Sequence, residues 1–161
     1  MLLDVDGVLT DGTVVMHGDG TESKSFHIRD GAAIVWALKA GLTVGLLSAR
    51  ESAATLQRAT QLGIPIVSQG VASKIAEYGR IVTEAGFADE DVAFMGDDLL
   101  DIPILQRVGL AGAPADAADD ARDTAHWVST SRGGHGAVRE FLEMILKAQD
   151  RWDAIRREFS S

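Results

Sequence analysis

Short apolar runs alternate with stretches of helical periodicity, and this alternation restricts the fold more than any other feature of the chain. MLLDV, TVGLLS, IPIVS, DVAFMG, GLAGA and AHWVS read as strands, the first two as continuous apolar runs of the kind covered on both faces of a sheet. Between them, GAAIVWALKAG sets Ile34, Val35 and Leu38 at helical spacing and stops at Gly41. Further helices are predicted at Ser52–Leu62, at Ser73–Ala85 closed by Gly86, over LLDIPILQRV, and over GAVREFLEMILKA. The pattern predicts an α/β domain with a mainly parallel sheet, spanning residues 1–161 as one unit.

One segment breaks the alternation. Thr13 to Ile28 carries two β-prone runs around HGDGTE, which predicts a β-hairpin inserted directly after the first strand. APADAADDARD reads as a solvated loop with a short helix. The tail, about 148–161, sets Trp152, Ile155 and Phe159 on one face of an amphipathic helix, and docking on a second copy is the favoured expectation. The first strand begins at Met1, which reads as an N-terminus that is incomplete or reassigned.

Composition excludes several classes of function. The 161 residues contain no cysteine, so disulfides, thiolate metal sites and a cysteine nucleophile are ruled out, and a cytoplasmic setting is expected. A formal charge of −9 argues against a nucleic-acid partner. No run approaches the ~20 apolar residues of a membrane span, so no membrane partner is expected. Any metal must be held by oxygen or imidazole.

In open α/β sheets, ligands gather beyond the carboxyl ends of the strands. Four polar clusters fall at such ends: Asp4 and Asp6 after the first strand, Ser48 after the second, Lys74 after the third, and Asp97, Asp98 and Asp101 after the fourth. Carboxylates crowded behind an apolar run repel each other and resist desolvation, so a cation is expected among them. Asp4 and Asp97, with a main-chain carbonyl at Asp6, supply the few hard oxygens that Mg²⁺ accepts. Asp4 is placed to attack phosphorus, and Asp6 to exchange protons with the leaving oxygen and with water. Ser48 and Lys74 would hold phosphoryl oxygens, while Asp101 would orient metal-bound waters or Lys74.

DVDGVLTDG, LLSARES, Lys74 and GDDLLDIP resemble, in order, the four motifs of the haloacid dehalogenase superfamily. The absence of a cap insertion, the hairpin with SFHIRDG and the closing RGGHGAVRE are similar to the 3-deoxy-D-manno-octulosonate 8-phosphate phosphatases and the related sugar-acid 9-phosphate phosphatases. The resemblance implies a Rossmann-like core, Mg²⁺ dependence, a small phosphorylated sugar acid as substrate, and lipopolysaccharide biosynthesis as the setting. It also implies a homotetramer built partly through the hairpins, with shared active sites. Asp4 is then the nucleophile, Asp6 the general acid/base, and Asp4, Asp6 and Asp97 the metal ligands.

SAR stands where many relatives have TGR, keeping the hydroxyl. Arg50 agrees with the octulosonate type, where the nonulosonate type tends to carry Glu, and Arg58 fits a contact to a substrate carboxylate. The resemblance also places Arg132 and the Gly133–Gly136 loop at a neighbouring subunit's site, against a plain helix cap as the alternative.

Other readings compete. An EF-hand loop starting at Asp4 fails because Val15 occupies its twelfth position. A phospho-acceptor receiver needs an Asp at the end of the third strand, and IPIVS is followed by none. A non-catalytic oligomerisation module, of the kind appended to some sialate cytidylyltransferases, has no need of the acidic cluster. Ser48 and Asp98 also suit helix caps, Arg29 with Asp30 suits a hairpin-exit ion pair, and His17 and His27 suit paired or solvated positions. His126 is expected to end a strand near the core.

Overall fold

A computed structural model describes residues 1–159. Its main sheet has six parallel strands: β1 (Leu2–Leu3), β4 (Gly45–Leu47), β5 (Ile66–Ser68), β6 (Ala93–Met95), β7 (Leu110–Ala113) and β8 (Trp127–Val128). Their spatial order is β5-β4-β1-β6-β7-β8. A separate antiparallel pair, β2 (Val15–Met16) and β3 (Glu22–Ser23), forms the predicted hairpin, with Val15 opposite Ser23 and Met16 opposite Glu22.

The chain leaves β1 for β4 on one side and later returns to β6 on the other. β1 is therefore the switch point of the sheet, where the loops on either side diverge and leave a crevice. Asp4 and Asp6 follow it directly.

Successive strand residues face opposite layers. Leu3, Leu46 and Met95 pack with α1 (Ile28–Lys39) and α6 (Ala137–Ala148), through Ile34, Ala37, Phe141 and Leu142. Leu2, Leu47 and Phe94 face α3 (Lys74–Ala85) and α4 (Ile102–Leu105), through Tyr78, Ile81 and Ile104. The remaining helices are α2 (Ala53–Leu62), α5 (Asp119–Thr124) and α7 (Trp152–Glu158). α5 supplies the short helix expected within APADAADDARD.

Several details differ from the sequence expectations. The single helix expected over LLDIPILQRV is a 3-10 turn at Leu99–Asp101 running into α4, because Asp98 and Asp101 draw the turn tight around their side chains. Asp30 makes no pair with Arg29. It is buried and accepts from the amides of Gly136 at 3.2 Å and Arg139 at 2.7 Å, capping α6 from another helix. The tail docks on its own chain, with Trp152 and Ile155 buried in the core. Trp152 meets Trp36 edge-on at 6.0 Å, and the Arg139 guanidinium lies 4.5 Å from one indole and 4.9 Å from the other. His126 is exposed and accepts the Ala111 amide at Nδ1, tying the segment before β8 to β7. His17 pairs with Ser23 on the hairpin surface.

Candidate active site

Backbone geometry fixes the nucleophile candidate first. The Asp4 amide donates to the Met95 carbonyl at 3.0 Å, extending the sheet one residue past β1. The chain then coils: the amides of Val8, Leu9 and Thr10 all point at the Val5 carbonyl. Gly7 makes this coil possible, with φ at +88° and no room for a side chain. A Cβ there would lie 1.9 Å from Oδ2 of Asp97.

Asp4, Asp6, Ser48, Arg50, Lys74 and Asp97 line one cleft of about 190 Å³ at the strand ends. A larger cavity, about 450 Å³, lies between α1 and α7 and contains none of them. Asp4 and Lys74 are buried, and Asp101 is wholly so. Lys74 Nζ sits 2.9 Å from Asp4 Oδ2 and 2.8 Å from Asp101 Oδ1. The other Asp101 oxygen accepts from the amides of Asp97 at 3.0 Å and Asp98 at 3.3 Å. Asp101 thus orients Lys74 and the Asp97 loop together. Asp98 is a cap, accepting from the Leu99 amide.

Ser48 is buried and receives the Arg50 amide at 3.2 Å, leaving its hydroxyl hydrogen for the cleft. It is not the cap of α2, which is Ser52. Asp11, the third carboxylate of the opening motif, accepts from the Thr13 amide in an exposed turn and stands apart from the cluster.

Carboxylate oxygens of Asp4, Asp97 and Asp101 lie within 4.8 Å of one another. Burial, and then repulsion from its acidic neighbours, pushes the Asp97 carboxyl well above the usual carboxylate range. Burial and Asp101 raise Asp4 as well, against the pull of Lys74. Burial works against the Lys74 ammonium, but Asp4 and Asp101 outweigh it and hold its pKa above the ordinary value. The acids outnumber the one buried ammonium among them, so the cluster is short of positive charge. A small hard cation fits that deficit.

Lys24 has no counterpart in the sequence reading. It follows β3, its side chain is fully buried, and its Nζ lies 2.6 and 2.9 Å from the two oxygens of Asp6. A single Lys in the polar run TESKSF gives no signal of this, because only the fold of the hairpin brings it to the cleft. Glu22 on β3 takes the Arg50 guanidinium at 2.8 Å. The hairpin therefore borders the cleft of its own chain.

Arg58 and Arg132 do not join the cleft. Arg58 packs over Gly31 of α1 and reaches Gln61, while Arg132 is exposed. The adjoining glycines serve their own chain: Gly133 lies against Gly7, and the Gly134 amide donates to the Val8 carbonyl at 2.9 Å.

Residues 45–142 match the family model described as haloacid dehalogenase-like hydrolase. The 3-deoxy-D-manno-octulosonate 8-phosphate phosphatase of Escherichia coli is 39% identical over 153 residues, 95% of this chain and 81% of the relative. The chain belongs to the haloacid dehalogenase-like hydrolases. Within that family its relatives are named phosphatases, and it is an enzyme of that type. The crystal structure of the Yersinia pestis 3-deoxy-D-manno-octulosonate 8-phosphate phosphatase superimposes with a TM-score of 0.92 at 38% identity, covering 94% of this chain and 82% of that one. The Moraxella catarrhalis phosphatase of the same name, in complex with magnesium ion, phosphate ion and a KDO molecule, gives 0.96 at 33% identity, covering 98% and 91%. This hydrolase thus shares its fold with solved phosphatases over nearly its whole length.

Proposed function

We propose that this hydrolase removes the phosphate of 3-deoxy-D-manno-octulosonate 8-phosphate through an aspartyl-phosphate on Asp4. The observation that carries the reading is the convergence of Asp4, Ser48, Lys74 and Asp97 on one cleft in a chain so similar to phosphatases of that substrate. Asp4, Asp97 and the main-chain carbonyl of Asp6 would hold Mg²⁺, which when bound neutralises the acids and polarises the phosphoryl group.

The residues divide the reaction into two displacements. A carboxylate oxygen of Asp4 attacks phosphorus, and the bond from phosphorus to the sugar oxygen breaks with its electron pair left on that oxygen. The Asp6 carboxyl gives its proton to the departing oxygen. Water then attacks phosphorus and passes a proton to the Asp6 carboxylate, and the bond from phosphorus to Asp4 breaks. Sugar acid and phosphate leave with Asp4 and Asp6 restored. Lys74 and the Ser48 hydroxyl stabilise the phosphoryl oxygens throughout. Arg50, which lines the cleft and agrees with the octulosonate type, supports an octulosonate ester as the substrate.

The same reading makes the chain one cytoplasmic domain, 1–161, in a homotetramer with shared sites. Val15 and Met16 expose apolar side chains on the hairpin, and the exposed Arg132 lies outside its own cleft, where it could serve a neighbour's. Sedimentation tests the assembly: a stable monomer of full activity would refute shared sites.

Phosphate release is the decisive measurement for the reaction, with octulosonate 8-phosphate, a nonulosonate 9-phosphate and a neutral sugar phosphate, each with Mg²⁺ and with chelator. Mg²⁺-dependent release from the octulosonate ester, abolished by Asp4→Asn in a folded protein, is the expected result. Preference for the nonulosonate ester would move the substrate. No release from any ester would point to an oligomerisation module.

A further inference from the structure

Lys24 is the one lysine from the hairpin region that reaches the cleft, and its placement is costly. Taking an ammonium out of water carries a desolvation penalty, and an apolar side chain would hold a hairpin down without it. The charge is spent on a single target: Nζ contacts both oxygens of Asp6, at 2.6 and 2.9 Å, while Glu22 Oε1 stands back at 3.9 Å. Among the described residues Asp6 has one other basic neighbour, the Arg50 Nε at 3.7 Å, and that guanidinium is half exposed and engaged with Glu22. Asp6 itself remains partly open to the cleft. A proton donor must stand within hydrogen-bond reach of the departing oxygen, and displacement by about 1 Å can cost about 10²-fold in rate.

We propose that Lys24 is a positioning residue for Asp6: the hairpin carries it across the cleft mouth to clamp both carboxylate oxygens, fixing the group that protonates the leaving oxygen. The inference rests on the phosphatase reading above. It ties the hairpin to the chemical step within one chain.

The test compares two esters whose leaving groups differ in their need for a proton. The sugar alkoxide of octulosonate 8-phosphate needs one, whereas p-nitrophenolate departs from p-nitrophenyl phosphate without one. Lys24→Met should lower kcat on the sugar ester by about 10²-fold with KM unchanged, while turnover of the aryl ester stays within about threefold. Lys24→Arg, which can also contact two carboxylate oxygens, should restore most of the loss. In an Asp6→Asn background, Lys24→Met should cause no further loss. A crystal structure of the Lys24→Met protein should show the Asp6 carboxylate displaced or in more than one rotamer. Equal losses on both esters in a folded variant, no loss on either, an additive loss with Asp6→Asn, or an unmoved Asp6 would each overturn the inference. Lys24→Gln carries the same comparison if Lys24→Met does not fold. A wild-type protein inactive on both esters would instead overturn the phosphatase reading, and this inference with it.

Discussion

The carbonyl oxygen of Gly7 rests so close to Gly133 that a Cβ at residue 133 would lie 1.8 Å from it. Gly7 belongs to the coil that follows Asp4 and Asp6, and Gly133 to the loop that leads into α6. The contact is between two stretches of backbone, so neither side can yield by a rotamer change. Gly133→Ala should therefore push the coil off its seat, costing about 1–3 kcal/mol by overpacking. Turnover should fall about tenfold or more through displacement of Asp4 and Asp6. Urea unfolding and phosphate release read the two effects, and an unchanged rate would show that the coil does not depend on this contact.

Lys74 holds two buried carboxylates at once, and Asp97 adds a third acid to the same few ångströms. Lys74→Met leaves that charge unanswered. The cation-free variant should lose about 3–5 kcal/mol at neutral pH and all turnover. The sign of the pH dependence follows from the raised pKa values of Asp4 and Asp97. A carboxyl whose pKa is higher folded than unfolded loses stability as pH rises from its unfolded value through its folded one. The deficit of the variant should thus be larger at pH 8 than at pH 5, and added Mg²⁺ should shrink it. Thermal melts at the two pH values, with and without Mg²⁺, measure this.

Asp30 substitutes for a local cap on α6, whose own N-cap position is Gly136. Asp30→Ala strands two amides in a buried setting and should cost about 1–3 kcal/mol. Asp30→Asn keeps one acceptor oxygen and should cost less. Arg29→Ala, at an exposed position with no tie to Asp30, should fall within about 0.5 kcal/mol of wild type. Denaturant midpoints distinguish the three.

Glu140 binds the hydroxyls of Ser129, Thr130 and Ser131 and the Thr130 amide, fastening the start of the glycine loop to α6. Burial pushes its carboxyl up, but those donors outweigh it and bring the pKa down from 4.5 to about 2. A depressed carboxyl contributes stability above its unfolded pKa and loses it as pH falls through the folded one. Wild type should therefore exceed Glu140→Gln in stability at pH 7. The gap should narrow between about 4.5 and about 2 and vanish below that window. A gap independent of pH would locate the effect in packing.

The sequence by itself determined the alternation of strands and helices, the hairpin between β1 and α1, and the strand-end positions of Asp4, Ser48, Lys74 and Asp97. These follow from local rules: apolar runs, glycine stops and short polar motifs leave their mark within a few residues. The tertiary structure alone decided the partners. Asp101 spends its carboxylate on Lys74 and on two amides, Lys24 crosses from the hairpin to Asp6, and Asp30 caps a helix more than a hundred residues away. The amphipathic pattern of Trp152, Ile155 and Phe159 showed an apolar face, and only packing against Trp36 decided which surface receives it. Apart from the local turn that Asp101 makes with the Asp97 and Asp98 amides, each of these contacts joins groups distant in sequence, so its energy depends on where the whole fold sets the two backbones, which no window of residues encodes.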